Sequence, residues 1–423
     1  MGIEILRSLE ALPGFEVHGA GTDVSAGWDA GFRGYSGLPG FDDPNFATEL
    51  RKLVNHESLD FVYPSNDLAI GRLAGVQLGQ ARVVSHPPET VRIAGSKIAT
   101  HRLLGNDRLV PARFAKQPPD SLYPLFSKPD IGHSSIGASV VDDAAMLRSL
   151  TESSEDYWGS YLLTEKLVSD EVTVDCFSTR AQGLLYVAPR TRDVTINGVS
   201  VVTTDFDDLH GELDRIARTV NARVELNGPW FFQAKRSKNG DFRVMEIGAR
   251  LAGASRVRRA QGVNLAQLAV LAATDVDVQI YRTRFRLVSI SNCGIQSLTC
   301  DENFASLYVD LDDTLILNGS VNTQILELVK HVRASGGRTA VITRHRGDPH
   351  ATLRGFGLEQ FFDEVHHILG GAPKPSFIDQ RLNSVLIDDS FSERLACINK
   401  QNILAVDASC ASLLKGLFLG IGH

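Results

Sequence analysis

SLYVDLDDTLIL (306–317) points to the fold of the C-terminal quarter. Leu307-Tyr308-Val309 is a short apolar run with strand character, delivering Asp310-Leu311-Asp312-Asp313-Thr314 at its carboxyl end. Two carboxylates two residues apart can both face a site if the strand ends and turns between them. One can then attack phosphorus while the other handles the proton of the leaving oxygen. The next apolar strand, 339–342, ends in Thr343, a hydroxyl placed to bind a phosphoryl oxygen. Lys374 stands in a Pro-Lys-Pro loop before an expected helix, where its charge offsets that of an aspartate–phosphate pair. SVLIDD (384–389) is another apolar strand, ending in Asp388 and Asp389, hard oxygen ligands of the kind magnesium takes.

This ordered series resembles the haloacid-dehalogenase-like superfamily over roughly 306–423. DxDxT matches Asp310, Asp312 and Thr314, and the family's threonine, lysine and acidic motifs match Thr343, Lys374 and Asp388-Asp389. The resemblance implies a Rossmann-like phosphatase domain with Asp310 as nucleophile and magnesium ligand. It also implies Asp312 as general acid/base within the same metal-binding acidic set, Thr343 and Lys374 on the phosphoryl group, and Asp388 with Asp389 completing the metal site. The spacing from Asp312 to Thr343 is short, which leaves little room for a large cap and predicts an open site.

Upstream the patterns are softer. The opening, MGIEILRSLEALPGFEVHGAGTDV, reads as a helix (Ile3, Leu6, Leu9, Leu12) and then a strand (15–19), followed by a second αβ unit with a helix over 46–54 and a buried strand in LDFVYPSND (59–67). Such alternation predicts a parallel sheet, and the first strand of that sheet is missing from the pattern. From about residue 91 the chain changes to mixed α+β. Strands are expected at 124–129, 160–168, 171–178 and 184–189. A hairpin is expected at 230–236 and 242–250 around Asn239-Gly240, then a helix over 265–273.

Several residues in this region have phosphate or nucleotide chemistry. Lys97 opens a helix after Ala94-Gly95-Ser96, and Lys128 ends a strand just before Gly132-His133-Ser134-Ser135-Ile136-Gly137. A loop of small residues offers backbone N–H groups to phosphate oxygens, and a lysine adds point charge. Thr164-Glu165-Lys166-Leu167-Val168 reads as an extended hinge able to meet an adenine edge, with Glu171 near the ribose. Gln233 and Glu246 lie on facing arms of the hairpin with Arg250 just beyond, a set suited to a magnesium–triphosphate group.

Together these resemble the ATP-grasp superfamily, in the branch similar to the carbamoyl-phosphate-synthase large subunit, over about 1–285. The resemblance implies that Lys97, Lys128, Ser134, Ser135 and Gly137 contact ATP phosphates and that Glu165, Lys166, Leu167 and Val168 form the adenine hinge. Glu171 is implied at the ribose, Gln233 and Glu246 at magnesium, Arg250 at the phosphoryl intermediate, and Arg190 and Arg192 at the substrate's carboxylate or phosphate. One departure stands out: the family's Glu-x-Asn-Pro-Arg is here Glu246-Ile247-Gly248-Ala249-Arg250. Glycine replaces a metal-binding asparagine, and Gln233 is neutral.

The expected organisation is α/β and α+β multidomain: a pre-grasp αβ domain (1–90), an ATP-grasp domain (91–285), a connector (286–305) and the phosphatase-like domain (306–423). The expected activity is an ATP- and Mg2+-dependent ligase joining a carboxylate to an amine or thiol, fused to a phosphatase for a small phosphorylated molecule. Two alternatives are a phosphatase with a non-catalytic ATP-grasp-like module and a ligase regulated by a phosphatase-like domain. A carbamoyl-phosphate-type synthase is disfavoured by the single grasp unit. At 423 residues with a net charge of −7, the chain exceeds one core and lacks the charge for a broad nucleic-acid surface. Its five cysteines show no CxxC spacing, and neither a membrane-length apolar run nor a leader pattern is present, so a cytoplasmic protein with reduced thiols is expected. The ATP-grasp resemblance allows a homodimer. His366-His367 reads as strand-end surface, and Trp230, Phe231 and Phe232 as core.

Overall fold

The computed structural model describes residues 1–23, 34–132, 136–196, 198–292, 295–397, 399–400 and 402–418. The chain forms two compact units. One comprises 38–253 and 268–278; the other comprises 2–37, 254–267 and 279–423. Residues 2–37 therefore group with the C-terminal unit and not with the rest of 1–90. Helix α1 (Gly2–Leu9) buries Ile5, Leu6 and Leu9, while Ile3, expected on its apolar face, is exposed. Its buried Glu4 meets the buried Arg259 (Oε1 to Nη2, 3.0 Å), and such a pair holds only where both charges find partners.

The first unit begins with α2 (Phe46–His56) and a two-residue parallel pair, β1 (Phe61–Val62) with β2 (Arg82–Val83). The expected strand in 59–67 is this short because Pro64 lacks an N–H and Asn66 already caps α3 (Asp67–Leu73), accepting from the Ala69 N–H at 2.9 Å. The expected strand at 15–19 is likewise reduced, to Gly19–Ala20 paired in parallel with Gly34–Tyr35 in the second unit.

Helix α4 (Lys97–Leu104) starts on a Ser96 cap, whose hydroxyl accepts from the Ala99 N–H. A four-stranded sheet follows in the order β3-β6-β4-β5, from β3 (Arg113–Phe114), β4 (Leu125–Pro129), β5 (Ser139–Val141) and β6 (Tyr161–Glu165). Strand β6 was expected to run to 168 and stops at Glu165, which pairs with Leu125, the first residue of β4 after Pro124. Beyond it only Val168 keeps a ladder-like bond, donating to the Arg236 carbonyl.

The second sheet of this unit is antiparallel, with order β8-β7-β11-β12: β7 (Val172–Thr179), β8 (Gly183–Thr191), β11 (Gly228–Arg236) and β12 (Phe242–Gly248). Between β8 and β11 lie a small hairpin, β9 (Val194–Ile196) and β10 (Val199–Thr204), and α5 (Glu212–Asn221). Helix α5 buries Leu213, Ile216, Ala217 and Val220, one stripe at helical spacing, in a core that includes Val172, Val174, Trp230 and Phe232. The Asn239-Gly240 turn forms as expected, with Gly240 at φ +92°. Because side chains alternate across a strand, Arg190, Thr173, Gln233 and Glu246 sit opposite one another in one row on the other face. The expected helix over Leu265–Ala273 is present as α6.

The second unit carries the hairpin β13 (Leu287–Asn292) and β14 (Ile295–Cys300), then a five-stranded parallel sheet ordered β19-β18-β15-β20-β21. Its strands are β15 (Phe304–Val309), β18 (Arg338–Thr343), β19 (Glu364–His367), β20 (Asn383–Ile387) and β21 (Ile403–Val406). The central strand β15 is flanked by β18 and β20, so Asp310, Thr343 and Asp388 emerge together at the carboxyl edge, where parallel sheets place their ligand groups. Between β15 and β18 the chain forms only a small ribbon, β16 (Ile316–Leu317) with β17 (Ser320–Val321), and α7 (Thr323–Ala334), so no cap domain intervenes. Apolar residues including Leu307, Val309, Leu328, Val332, Val341 and Val385 fill the core.

Candidate functional site

In the second unit the strand ends bring Asp310, Asp388 and Asp389 together, with carboxylate oxygens all within 4.8 Å of one another. Lys374 lies between two of them: its Nζ is 2.8 Å from Asp310 Oδ1 and 2.6 Å from Asp388 Oδ2. All three of these side chains are buried. Burial and the neighbouring Asp388 push the Asp310 carboxyl up, while Lys374 pulls it back; burial likewise raises Asp388. The Lys374 ammonium is held above its ordinary value because its two carboxylate partners outweigh desolvation in sum. Three hard carboxylates converging on one point are a donor set that suits magnesium.

Asp312 lies outside this trio. Asp313 adopts φ +54° and Asp312 bridges to Ile316, which turns the Asp312 side chain toward His345 (Nδ1 to Oδ2, 2.9 Å). The His345 Nε2 in turn meets Thr352 Oγ1 at 3.0 Å. Thr343 is buried and accepts from the His345 N–H. Thr314 donates toward Asp389 Oδ1 and accepts from the Asp389 N–H. Two residues here escaped the sequence reading. His345, two positions after Thr343, gave a signal in its position alone. Arg394, which donates to the Asp388 and Asp389 carbonyls at 2.6 Å, gave none.

In the first unit Glu171, Arg192, Gln233 and Glu246 form one cluster. Arg192 Nε is 2.9 Å from Glu171 Oε1. With its amide oriented by these neighbours, Gln233 donates to Glu246 Oε1 and Glu171 Oε1 at 3.0 Å each and accepts from Arg192 Nη1 at 2.6 Å. Burial raises the Glu171 carboxyl, opposed by Arg192 and Lys235. Lys128 donates to the Met245 carbonyl at 2.7 Å, and burial lowers its ammonium to about 8. Lys97 donates to the Gly132 carbonyl at 3.0 Å. Glu165 is tied to the Ala112 N–H, and Lys166 and Val168 are exposed, with Leu167 half-buried between them. Gly137 sits at φ +76°; His133, Ser134 and Ser135 lie outside the described residues.

One expectation is corrected, and two further arginines meet partners within the chain. Arg190 is not available to a substrate: it is 2% exposed and forms a two-pronged contact with the buried Asp175 (Nε to Oδ2, 2.8 Å). Arg192 faces Glu171 and Gln233, as above, and its Nη2 donates to the Gly198 carbonyl. Arg250 is bound to Asp67 at 2.6 and 3.0 Å and lies over the Phe231 ring. Gly248 has a packing reason for being glycine: a Cβ there would lie 2.3 Å from the Phe231 ring. Beside Arg250 a small pocket, partly open to solvent, is lined by Tyr63, Ser85, His86, Asn227 and Leu251 among others. His86 is locked there, accepting from the Asn227 N–H and donating to the Pro229 carbonyl, and burial pushes it down to about 4.

Residues 159–293 match the family described as ATP-grasp in the biosynthetic pathway with Ter operon. The fold is similar to the biotin carboxylase domain of 2-oxoglutarate carboxylase from Hydrogenobacter thermophilus, a dimer solved with MgADP, ADP and bicarbonate (TM-score 0.57, 11% identity, 68% of this chain and 71% of that one). It is also similar to biotin carboxylase from Campylobacter jejuni (0.55, 13%, 68% and 72%) and to N5-carboxyaminoimidazole synthetase from Staphylococcus aureus (0.53, 12%, 68% and 78%). The chain thus carries an ATP-grasp fold. No curated protein matches it in sequence. Among the described residues no helix is long and apolar enough to cross a membrane.

Proposed function

We propose that the protein is a two-site enzyme. One site is an ATP- and magnesium-dependent ligase joining a small carboxylate to an amine or thiol through an acyl phosphate; the other is a haloacid-dehalogenase-like phosphohydrolase working through Asp310. The ligase reading is supported by the family match over 159–293 and by a fold shared with proteins solved with MgADP or an ATP analogue. The observation that carries the phosphohydrolase reading is the buried Asp310–Lys374–Asp388 chain with Asp389 beside it.

At the second site, an Asp310 carboxylate oxygen attacks phosphorus while Asp312 gives its proton to the departing oxygen. Asp312 then takes a proton from water, which attacks the aspartyl-phosphate and releases inorganic phosphate, restoring Asp310. Lys374 and Thr343 hold phosphoryl oxygens, and His345 orients Asp312. Asp310, Asp388 and Asp389 would hold magnesium, which supplies Lewis-acid neutralisation of phosphoryl charge when bound. At the first site Lys97 and Lys128 would hold nucleotide phosphates and 165–168 the adenine edge.

The neutral, Arg192-bound Gln233 and the glycine at 248 favour a second reading, in which the ATP-grasp fold binds nucleotide without turnover. Product-resolved ATP turnover separates the two: protein, Mg2+ and ATP are incubated with pools of small carboxylates and amines, following ADP, phosphate and new mass. ADP formation that depends on one pool, survives Asp310→Asn and is lost in Lys128→Ala supports the ligase. No ADP with any pool, alongside Asp310-dependent ester hydrolysis, sinks it.

A further inference from the structure

In the ATP-grasp resemblance, carboxylates on the two hairpin arms and an asparagine beyond them gather magnesium at the triphosphate. Here the three positions are Gln233, Glu246 and Gly248. Only Glu246 retains a charged oxygen. Gln233 has one oxygen, and that oxygen already accepts from Arg192 at 2.6 Å, while its nitrogen faces Glu246 and Glu171. Assigned this way by its neighbours, the Gln233 oxygen is neutral, already accepts from a guanidinium and keeps one lone pair, which makes it a weak ligand for a divalent cation beside Glu246. Nor can the missing asparagine be supplied by relaxation, because Phe231 fills the space beside Gly248.

The same contacts bring a fixed positive charge into the cluster. Arg192 lies 2.9 Å from Glu171 and is held from behind by the Gly198 carbonyl at 2.6 Å, and its guanidinium is almost wholly withdrawn from solvent. A divalent cation drawing on Gln233 would have to displace this guanidinium or sit against it, and two positive charges at contact distance in a partly dehydrated site repel strongly. We infer that this site takes a single divalent cation with its nucleotide, held by Glu246, and that Arg192 supplies as a tethered cation the positive charge a second ion would bring. The inference rests on nucleotide binding at the ATP-grasp fold, as proposed above, and goes beyond it to the cation count and a new role for Arg192.

The test counts metal. Holoprotein is titrated with Mn2+ by electron paramagnetic resonance, first alone and then saturated with the β,γ-imido analogue of ATP. The nucleotide-free count removes the contribution of Asp310, Asp388 and Asp389. The expected increment is one Mn2+ per bound analogue in the wild type. In Arg192→Gln/Gln233→Glu, which removes the tethered charge and restores a carboxylate, it rises to two. Arg192→Gln alone should weaken analogue binding by about tenfold at fixed Mn2+, the loss expected for one charge-assisted hydrogen-bonding partner. A wild-type increment of two overturns the inference while leaving the nucleotide reading intact, and this measurement needs no variant to fold. An increment that stays at one in a folded, analogue-binding double variant also overturns it. Failure of the wild type to bind the analogue at all overturns both readings together.

Discussion

Gly248→Ala is the substitution whose outcome the structure fixes most tightly. A Cβ at this position would lie 2.3 and 2.4 Å from two Phe231 ring carbons and 3.0 Å from a third. Ordinary carbon contacts begin near 3.5 Å, so the overlap exceeds an ångström and the ring itself has to move. Phe231 is 5% exposed and carries Arg250 over its face, so moving it disturbs both packing and the Arg250–Asp67 pair. Gly248 does not occupy a left-handed backbone conformation, so an alanine there meets no dihedral penalty and the cost is spatial. Overpacking of this kind costs about 3 kcal/mol, the upper end of the usual range. For a unit of this size that lowers the melting temperature by roughly 6–12 °C. The assay is thermal and urea unfolding followed by tryptophan fluorescence in a Trp28→Phe background, which leaves Trp158 and Trp230, both in the first unit. Phe231→Ala provides the control. In that background the clash is gone, and Gly248→Ala should cost less than about 1 kcal/mol, a coupling of about 2 kcal/mol or more between the sites. Equal costs in the two backgrounds would refute the steric account of the glycine at position 248.

Two further outcomes follow from the same unit. Arg190→Met should destabilise it by about 3–5 kcal/mol, because the variant strips a buried carboxylate of its guanidinium, yet leave nucleotide affinity in the surviving folded fraction unchanged. An unaltered urea midpoint together with a raised KM would return Arg190 to the substrate. For His86, burial lowers the folded-state value to about 4 from 6.5, so the unfolded chain takes up a proton that the folded one refuses. Stability is then fully present above about pH 6.5 and falls by roughly 1.4 kcal/mol per pH unit between there and about pH 4. His101, pushed down to about 3 by burial and by Lys128 and Arg113, acts in the same direction. Urea midpoints measured from pH 7 to pH 4.5 should show this acid limb, shallower in His86→Asn; a flat profile would contradict it.

Elements whose signals are local were legible in the residues alone. Val309-Asp310 at a strand end, the apolar run before Asp388, the Asn239-Gly240 turn and the helix over Leu265–Ala273 are each written in a few adjacent residues, and each formed. That Asp310 and Asp388 come to one edge was also legible, because parallel strands deliver their carboxyl ends there, whereas Lys374 reaches them from the turn Lys374–Phe377. Which partner each charged side chain takes depends on the folded chain. Arg190 and Arg192 are two residues apart and look alike in sequence, yet one is closed in by Asp175 and the other is held between Glu171 and Gln233. Arg250 meets Asp67, 183 positions away, and Gly248 is explained by a ring on the neighbouring strand. Periodicity reports the face a residue points from. The charge or ring it meets there is set by strand register and by chain segments far away in sequence, so the roles of these arginines could be read only once the sheet had brought their partners into place.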